Sequence, residues 1–310
     1  MINAIQEFKR VVVPERTRIE SLFPLVLVFG GPTSDVNDKY SSCRNVFLSW
    51  AHDTHYDLVK FLRIPEDYPE WNDFEGYSNL VDFEKDAGCL TRGILLFSES
   101  HGALAELGAF CTDEILCERL LIVVANEYYE TPSFVRLGPV KRIEVKHSEQ
   151  SIYVASTTND KHAFEAEVAD VGDALRAKVE TLPKTKQFNA TETRDQFLLI
   201  ADLIELFGAL TETEIEILLG FMSIGAVNIK RMLNQLVLFE LICKHREKTN
   251  LYYIPPKKQR TPFLKYSANA GAKFERASFK LNTILPELRN ERNKHRLVAY
   301  EKIHGVSTWK

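Results

Sequence analysis

The sequence predicts an α/β fold for the first half of the chain, a Rossmann-like parallel sheet flanked by helices. A mainly α-helical domain and a basic helical tail are predicted to follow. Continuous apolar runs at 25–31 (LVLVFGG), 92–99 and 120–126 are typical of strands buried on both faces. Helix-like segments at 77–90 and 103–120 separate these runs, which favours parallel strands joined by helical crossovers. Ligands of such sheets bind at the carboxyl ends of the strands.

The other segments of the first half are less regular. The segment 39–52 has helical spacing of its apolar residues. The segment 56–65 fits a strand or a helix, and we favour a strand. The segment 141–156 (KRIEVKHSEQSIYVAS) predicts additional strand structure, and 170–182 predicts a closing helix.

The length of 310 residues favours two domains. A polar stretch at 183–195 has no apolar periodicity and predicts a linker. The predicted domains are therefore residues 1–182 and 196–262, followed by a basic helical tail at 263–310. Pro286 is expected to interrupt the tail helix.

The domain at 196–262 is predicted to contain three helices and a hairpin. The first helix should end near Gly208, and Thr211 with Glu214 forms a capping-box pattern for the second. A third helix follows in 225–241. Two alternating runs in 241–255 surround a polar turn and predict a β-hairpin. This order of elements is typical of a winged helix.

The third helix carries a polar stripe that could read bases. Asn228, Arg231 and Gln235 share one face, as in a recognition helix, and Lys244 and Arg246 fall on the hairpin. These five residues are the predicted nucleic-acid contacts. Any solvated helix face would show the same pattern, so the alternative stays open. The opposite, inward face carries Ile229, Leu233 and Leu236.

The two halves of the chain differ in charge. Residues 1–180 contain 18 Lys and Arg against 30 Asp and Glu, a net charge of −12. Residues 181–310 contain 21 against 13, a net charge of +8. The basic second half favours a polyanionic partner for that half, or it is a solvated basic surface.

Cysteine usage and hydropathy indicate a cytoplasmic protein. The cysteines are odd in number, and no C-x-x-C occurs, which favours reduced thiols over disulfides or zinc. His52 and His55 form an H-x-x-H without a third ligand at suitable spacing, so we expect no metal site. No signal peptide and no membrane-spanning run is apparent. The cysteines are Cys43, Cys89, Cys111, Cys117 and Cys243.

The stretch FSESHGALAELGAF (97–110) places a carboxylate where a ligand would bind. Phe97 ends a strand, 98–102 form a turn, and Glu106 lies early in the next helix. The positive end of that helix is expected to favour an ionised Glu106, and an ionised carboxylate can act as a nucleophile or stabilise a cation. The alternative is that Glu106 only complements the helix dipole.

These motifs resemble the nucleoside 2-deoxyribosyltransferase family, and within it the effectors encoded beside retron reverse transcriptases. Members of that branch carry a strand followed by FxES-x-G-x-x-x-ELGAF, another strand, and SF-x-x-x-GPV-[KR]. This chain has FSESHGALAELGAF, LLIVVAN (120–126) and SFVRLGPVK (133–141) in that order. The resemblance also implies a C-terminal winged-helix-like domain.

The resemblance implies the positions of the substrate-binding residues. Gly30 and Gly31 would line the phosphate or ribose side of the pocket. Ser100 and Gly102 would approach the ligand through a hydroxyl and the backbone. Glu84 would lie near the ribose hydroxyls. The loop GGPTSD departs from the usual transferase pattern, which leaves the base and acceptor specificity open.

In the family, the carboxylate at the position of Glu106 attacks or stabilises the anomeric carbon of a ribosyl group. NAD suits a single carboxylate because its nicotinamide already carries the positive charge that makes it a good leaving group. The resemblance implies a toxin that cleaves NAD or a related nucleotide and needs no bound cofactor. The reverse transcriptase and its multicopy single-stranded DNA (msDNA) would hold it inactive, in a homo-oligomer or a larger assembly. The alternatives are a non-catalytic nucleotide-sensing DNA-binding regulator and a true nucleoside 2-deoxyribosyltransferase.

Overall fold

The structure, a computed structural model, describes residues 1–33, 38–72, 77–183, 185–258, 261–269 and 273–305. The chain divides into two compact units. The parallel-sheet unit comprises residues 23–69 and 81–183. The helical unit comprises residues 1–22, 70–80 and 184–310.

Strands and helices alternate in the parallel-sheet unit, and helices dominate the helical unit. The strands are β1 (Val12–Ile19), β2 (Val26–Phe29), β3 (Leu62–Arg63), β4 (Gly93–Phe97), β5 (Leu120–Ala125), β6 (Ile152–Ala155), β7 (Lys186–Gln187), β8 (Cys243–Glu247), β9 (Asn250–Ile254) and β10 (Leu264–Ala268). The α-helices are α1 (Ile2–Val11), α2 (Cys43–Asp53), α3 (Leu80–Leu90), α4 (His101–Phe110), α5 (Glu114–Arg119), α6 (Asn126–Glu130), α7 (Lys141–His147), α8 (Lys161–Phe164), α9 (Val168–Thr181), α10 (Thr193–Phe207), α11 (Glu212–Phe221), α12 (Ile229–Leu238), α13 (Arg276–Phe279), α14 (Leu285–Arg289) and α15 (Lys294–His304). Short 3₁₀ or π segments connect them at Lys39–Ser41, Val59–Phe61, Pro65–Asp67, Pro69–Asn72, Arg136–Val140, Glu149–Ser151, Glu165–Glu167, Lys280–Ile284 and Glu291–Asn293.

The parallel-sheet unit contains a five-stranded sheet in the order β3-β2-β4-β5-β6. Every neighbouring pair is parallel, with Leu27 opposite Ile94 and Ile94 opposite Leu120. This confirms the predicted Rossmann-like sheet. Numbered along the chain within the sheet, the strand order is 2-1-3-4-5, so the order reverses between β2 and β4. A crevice opens at such a switch point, above the carboxyl ends of the strands.

Both faces of this sheet are buried, as the continuous apolar runs predict. On one face, alternate residues such as Val28 and Phe97 share a core with α2 and α9. On the other face, the ring of Phe29 packs edge-on against Phe110 of α4 at 5.0 Å. The strands β2, β4 and β5 are completely buried because helices cover them from both sides.

Two elements of the parallel-sheet unit differ from the sequence predictions. Residues 141–147 form the helix α7 rather than a strand, and only Ile152–Ala155 of the segment 141–156 is a strand. Ile143 is the one buried residue of α7, so the apparent alternation of this segment does not reflect a buried face. In the segment 56–65, only the two residues of β3 are a strand.

The helical unit includes the N-terminus of the chain, which the sequence analysis placed in the first domain. Strand β1 pairs antiparallel with β10, with Val12 opposite Ala268, and with β7, with Ile19 opposite Lys186. Both pairings join residues more than half the chain apart, so no local sequence pattern predicts them. They also order part of the predicted linker 183–195, because β7 and the start of α10 both lie within it.

The predicted helices and hairpin of the helical unit are confirmed. Helix α10 ends at Gly208, whose φ of 79° suits a residue without a side chain. Thr211 and Glu214 form the capping box of α11. Helix α12 follows, and β8 and β9 pair as an antiparallel hairpin. The winged-helix interpretation of this order stays a prediction.

The predicted tail begins with the strand β10 and becomes helical only from Arg276 onward. Pro286 lies at the second residue of α14, directly after the π segment Lys280–Ile284, so the helical run that starts at Arg276 loses its regular α geometry just before the proline. In the part of the chain that the structure describes, no helix is both long and apolar enough to cross a bilayer.

Candidate active site

The switch-point crevice is bordered by the segments that follow β2 and β4. Gly30 and Gly31 follow β2, and Ser100 caps the N-terminus of α4 by accepting a hydrogen bond from the Ala103 amide at 3.1 Å. The Ser100 hydroxyl also donates to the Gly30 carbonyl at 3.3 Å. A single side chain thus joins the two segments. Gly102 is exposed, and a Cβ there would meet only the Ser100 Oγ, at 3.9 Å.

Glu99 fixes the turn after β2, a role that the sequence analysis missed. Its side chain is 3% exposed and accepts hydrogen bonds from three backbone amides: Gly31 at 3.0 Å, Cys43 at 2.6 Å and Arg44 at 3.0 Å. The N-terminus of a helix attracts anions, and here a side chain of the protein occupies that position on α2. The acidic residue directly before the Ser100 cap was the available signal.

The two glycines after β2 allow the turn to approach α2 closely. A Cβ on Gly30 would lie 2.9 Å from the Arg44 Cβ, and one on Gly31 would lie 2.7 Å from the Ser42 Cβ. Packing inside the protein therefore explains the absence of side chains at both positions. That they also line the ligand stays a prediction.

Glu106 lies in the second turn of α4 and is partly buried. Its Oε2 atom is buried without a hydrogen-bond partner among the described residues. Burial raises the pKa of Glu106 to about 7; the positive charge of Arg44 opposes this rise, and the negative charge of Glu66 adds to it. The dipole of α4 favours the ionised form of Glu106 only weakly, because it acts mainly within the first turn, and the effect of burial is larger here.

Glu84, on α3, is 6% exposed. Burial raises its pKa to about 8, and the negative charges of Glu106 and Glu66 contribute. Glu84 and Glu106, which are predicted to belong to one site, therefore lie close enough to interact electrostatically. At neutral pH Glu84 is mainly protonated while Glu106 is close to half ionised. Two carboxyl groups with different protonation states can act as an acid and a base.

Arg44 and Glu66 are two further charged residues that act on Glu106, and neither is among the site residues predicted from the sequence. The Arg44 side chain is 3% exposed, and its two terminal nitrogens donate to the Glu66 carboxylate at 2.7 and 3.1 Å. Glu66 follows β3 and is 54% exposed. An arginine among the apolar residues of α2 was the signal, because a buried guanidinium requires an anion nearby.

The predicted nucleic-acid stripe on α12 is only partly exposed. Asn228 caps the helix by accepting from the Arg231 amide at 3.1 Å. The half-buried Arg231 guanidinium lies over the Tyr77 ring, 5.3 Å from its centroid. Gln235 is 1% exposed, so the expectation that it lies on an exposed face is wrong. Helix α12 buries a wider arc than a single inward stripe, since Met232 is buried as well.

The predicted basic residues of the hairpin are exposed. Lys244 and Arg246 lie two residues apart on the exposed face of β8, and half-buried residues alternate with them, as expected for a strand. Among the described residues, no group of three or more His, Cys, Asp and Glu side chains could hold a metal ion. His52 is exposed and lies 3.6 Å from Asp53.

Comparison with known proteins points to retron systems. A family model described as STM3845 retron effector protein matches residues 40–244, which include Arg44, Glu66, Glu84, Glu99 and Glu106.

Two curated Escherichia coli proteins are similar in parts of their sequences. The retron Ec86 putative ribosyltransferase/DNA-binding protein is 30% identical over 133 residues, which are 41% of this chain and 43% of that protein. The retron Ec73 putative ribosyltransferase/DNA-binding protein is 37% identical over 73 residues, 24% of this chain and 23% of that protein. The matched stretches thus span less than half of either relative.

Proposed function

The chain belongs to the STM3845 retron effector protein family, and from this premise we propose that its parallel-sheet unit cleaves the N-glycosidic bond of NAD or a related nucleotide. Glu106 would stabilise the positive charge that develops on the ribosyl group, or attack its anomeric carbon. The names of the two relatives, which include a ribosyltransferase activity, support this reaction class.

The observation that carries the proposal is the unpaired acceptor of Glu106 at the switch point. Its Oε2 atom is buried without a partner, and its carboxyl group has a pKa of about 7. A buried carboxylate without a partner costs folding free energy, so a ligand that supplies a positive charge or a donor there would be bound favourably. The oxocarbenium-like ribosyl group of glycosidic cleavage supplies that charge.

Glu84 supports a role beside Glu106. Because it is mainly protonated at neutral pH, it can donate a hydrogen bond to a ribose hydroxyl. A protonated carboxyl group can also give its proton to a departing base, which an uncharged nucleoside requires. Proton donation by Glu84 favours the nucleoside 2-deoxyribosyltransferase alternative. Both candidate functions use Glu106, so they are distinguished by the substrate that the protein cleaves.

We extend the proposal to the partners. The activity would serve as a toxin of a retron defence system, held inactive by the reverse transcriptase and its msDNA. The relatives' names include DNA binding, and the exposed Lys244 and Arg246 are suitable phosphate contacts. The buried Gln235 no longer supports base reading by the whole stripe on α12. The non-catalytic nucleotide sensor is the competing function.

The test is turnover of NAD by the purified chain, with release of nicotinamide followed by chromatography. Glu106→Gln removes the charge and keeps the shape, so the rate should fall by about 100-fold or more. The exposed Glu180→Gln, on α9, is the control and should keep the wild-type rate. Addition of the reverse transcriptase–msDNA complex should suppress the wild-type rate. Near-wild-type turnover by folded Glu106→Gln would exclude Glu106 from the mechanism, and no turnover of any nucleotide by the free wild-type chain would favour the sensor.

A further inference from the structure

Arg44 is a buried cation whose counter-ion is easily removed. Its side chain is 3% exposed, whereas the Glu66 carboxylate that neutralises it is 54% exposed. Glu66 can return to water at little cost, because half of it is already hydrated. Arg44 cannot follow it, and a buried guanidinium without an anion is strongly unfavourable. Any anion that enters the crevice therefore finds a cation that must be neutralised and a partner that can be displaced.

The hydrogen bonds of Arg44 leave its Nε donor unused. Glu66 accepts from the two terminal nitrogens, at 2.7 and 3.1 Å, and one of these nitrogens also donates to the Val28 carbonyl at 3.5 Å. The Nε atom is buried and has no partner among the described residues. A carboxylate has two oxygens and pairs with two of these nitrogens, whereas a phosphate monoester offers three terminal oxygens and the diphosphate of a dinucleotide offers four. A phosphate group can thus satisfy donors that Glu66 leaves unpaired.

The position of Arg44 is fixed at the backbone and lies in the proposed active site. Glu99 accepts a hydrogen bond from the Arg44 amide at 3.0 Å, and a Cβ on Gly30 would come within 2.9 Å of the Arg44 Cβ. The Arg44 charge also acts on the carboxyl group of Glu106. The guanidinium is therefore beside the turn after β2 and within electrostatic reach of the proposed catalytic group.

We propose that Arg44 binds a phosphate group of the substrate and that Glu66 pairs with the Arg44 guanidinium until this phosphate replaces it. The substrate class is then a nucleoside 5′-phosphate or a dinucleotide such as NAD, rather than a free nucleoside. A nucleoside has no anion to exchange for Glu66 and leaves the Arg44–Glu66 pair intact. The inference rests on the proposed function, because the phosphate belongs to the nucleotide whose ribosyl bond is cleaved.

The test compares ligands that differ only in a phosphate. Nicotinamide mononucleotide is paired with nicotinamide riboside, and AMP is paired with adenosine. Their binding is measured by calorimetry in a Glu106→Gln chain, where turnover is suppressed. Glu66→Gln removes the competing carboxylate, so both phosphate-bearing ligands should bind about tenfold more tightly. Binding of the two nucleosides should not change.

A second arginine–carboxylate pair in the same unit supplies the matched control. Arg176 donates two hydrogen bonds to Asp57, each at 3.1 Å, and Asp57 is 57% exposed, close to the value for Glu66. Asp57 precedes β3, whereas Glu66 follows it, so Asp57 lies on the side of the amino ends of the parallel strands, away from the crevice. Asp57→Asn should leave the binding of all four ligands unchanged.

A double variant isolates the cation. Arg44→Gln with Glu66→Gln replaces the charged pair by two amides that can hydrogen-bond to each other, and the tenfold gain should disappear. Thermal unfolding shows whether each variant is folded; if the double variant is not, the comparison of Glu66→Gln with Asp57→Asn still decides.

The proposal is overturned if Glu66→Gln changes nucleotides and nucleosides equally, or if it binds neither phosphate-bearing ligand. A phosphate preference without turnover by the wild-type chain would contradict the proposed function alone.

Discussion

Asp202 in the helical unit and Glu84 in the parallel-sheet unit are both buried acids, but their surroundings differ. Asp202 is completely buried and accepts hydrogen bonds from two backbone amides, the Tyr266 hydroxyl at 2.8 Å and the Arg276 guanidinium at 2.9 Å. Glu84 instead interacts with two further carboxyl groups, and its pKa rises to about 8. Both carboxylate oxygens of Asp202 are therefore hydrogen-bonded, whereas burial and like charges hold Glu84 mainly as the neutral acid at pH 7.

Other acids of the helical unit follow Asp202. Glu214 receives two hydrogen bonds from Arg296, both at 2.8 Å, in addition to its role in capping α11. Burial opposes ionisation of Glu205, but Arg276 and Lys280 outweigh it and its pKa is lowered. Buried acids whose carboxylate oxygens have hydrogen-bond or ion-pair partners stabilise a fold, whereas buried acids without such partners remain available to a ligand. The contrast therefore favours the parallel-sheet unit as the place of chemistry.

The largest expected effect concerns the buried, ion-paired acids of the helical unit, Asp202 and Glu205. Arg276→Ala leaves Asp202 and Glu205 without their shared cation, and the free energy of unfolding should fall by about 3–5 kcal/mol. Urea denaturation measures it. The exposed Arg10→Ala, which removes a surface pair with Glu7, should leave the free energy of unfolding nearly unchanged. Similar losses in both variants would remove the distinction between buried and surface pairs.

The pH dependence of turnover tests Glu106 and Glu84, the two buried acids of the parallel-sheet unit. If Glu106 acts ionised and Glu84 acts protonated, the rate should be bell-shaped with a maximum between pH 7 and 8, the two pKa values. At pH 5 the rate should be about 100-fold lower, because about one Glu106 in a hundred is then ionised. Because Glu106 and Glu84 interact, the two apparent pKa values of the profile belong to the coupled pair and not to either residue alone. A rate that is flat from pH 5 to 8 would contradict the assignment.

The stability of the parallel-sheet unit should also depend on Glu84. Its folded pKa lies above its unfolded value, so the native state binds more protons between about pH 4.5 and 8, and rising pH destabilises it. Glu84→Gln removes this cost. The variant should match the wild type near pH 4 and exceed it by roughly 3–5 kcal/mol at pH 9, because each unit of the rise from 4.5 to about 8 costs about 1.4 kcal/mol. Denaturation at both pH values measures the difference. A constant difference across this range would mean that Glu84 is not the group that titrates.

The smallest expected effect concerns the exposed cations of the hairpin. Replacing Lys244 and Arg246 by Ala should weaken binding to the reverse transcriptase–msDNA complex and flatten its log–log salt dependence by about 1.4, or roughly 0.7 for each phosphate contact. Arg231→Ala, tested separately, should act more through its packing on Tyr77. Unchanged affinity and slope in the hairpin variant would make this face a solvated surface.

Local patterns predicted the regular elements well. The apolar runs of β2, β4 and β5 and the capping box of α11 depend on neighbours in the sequence, and the structure has them where expected. The segment 141–147 was predicted incorrectly because a short run of alternating residues does not distinguish a strand from an exposed helix.

The sequence by itself determined the buried strands β2, β4 and β5, the helix that carries Glu106 and the exposure of Lys244 and Arg246 on the hairpin. These follow from periodicity and turn residues, which act over a few positions. Only the tertiary structure decided that β1 pairs with β10, that Glu99 occupies the N-terminus of α2 and that Gln235 is buried. It also decided the protonation of Glu84 and Glu106, because a pKa depends on burial and on charges supplied by α2, α3, α4 and the turn after β3. Those charges are far apart in the chain, and folding alone brings them together.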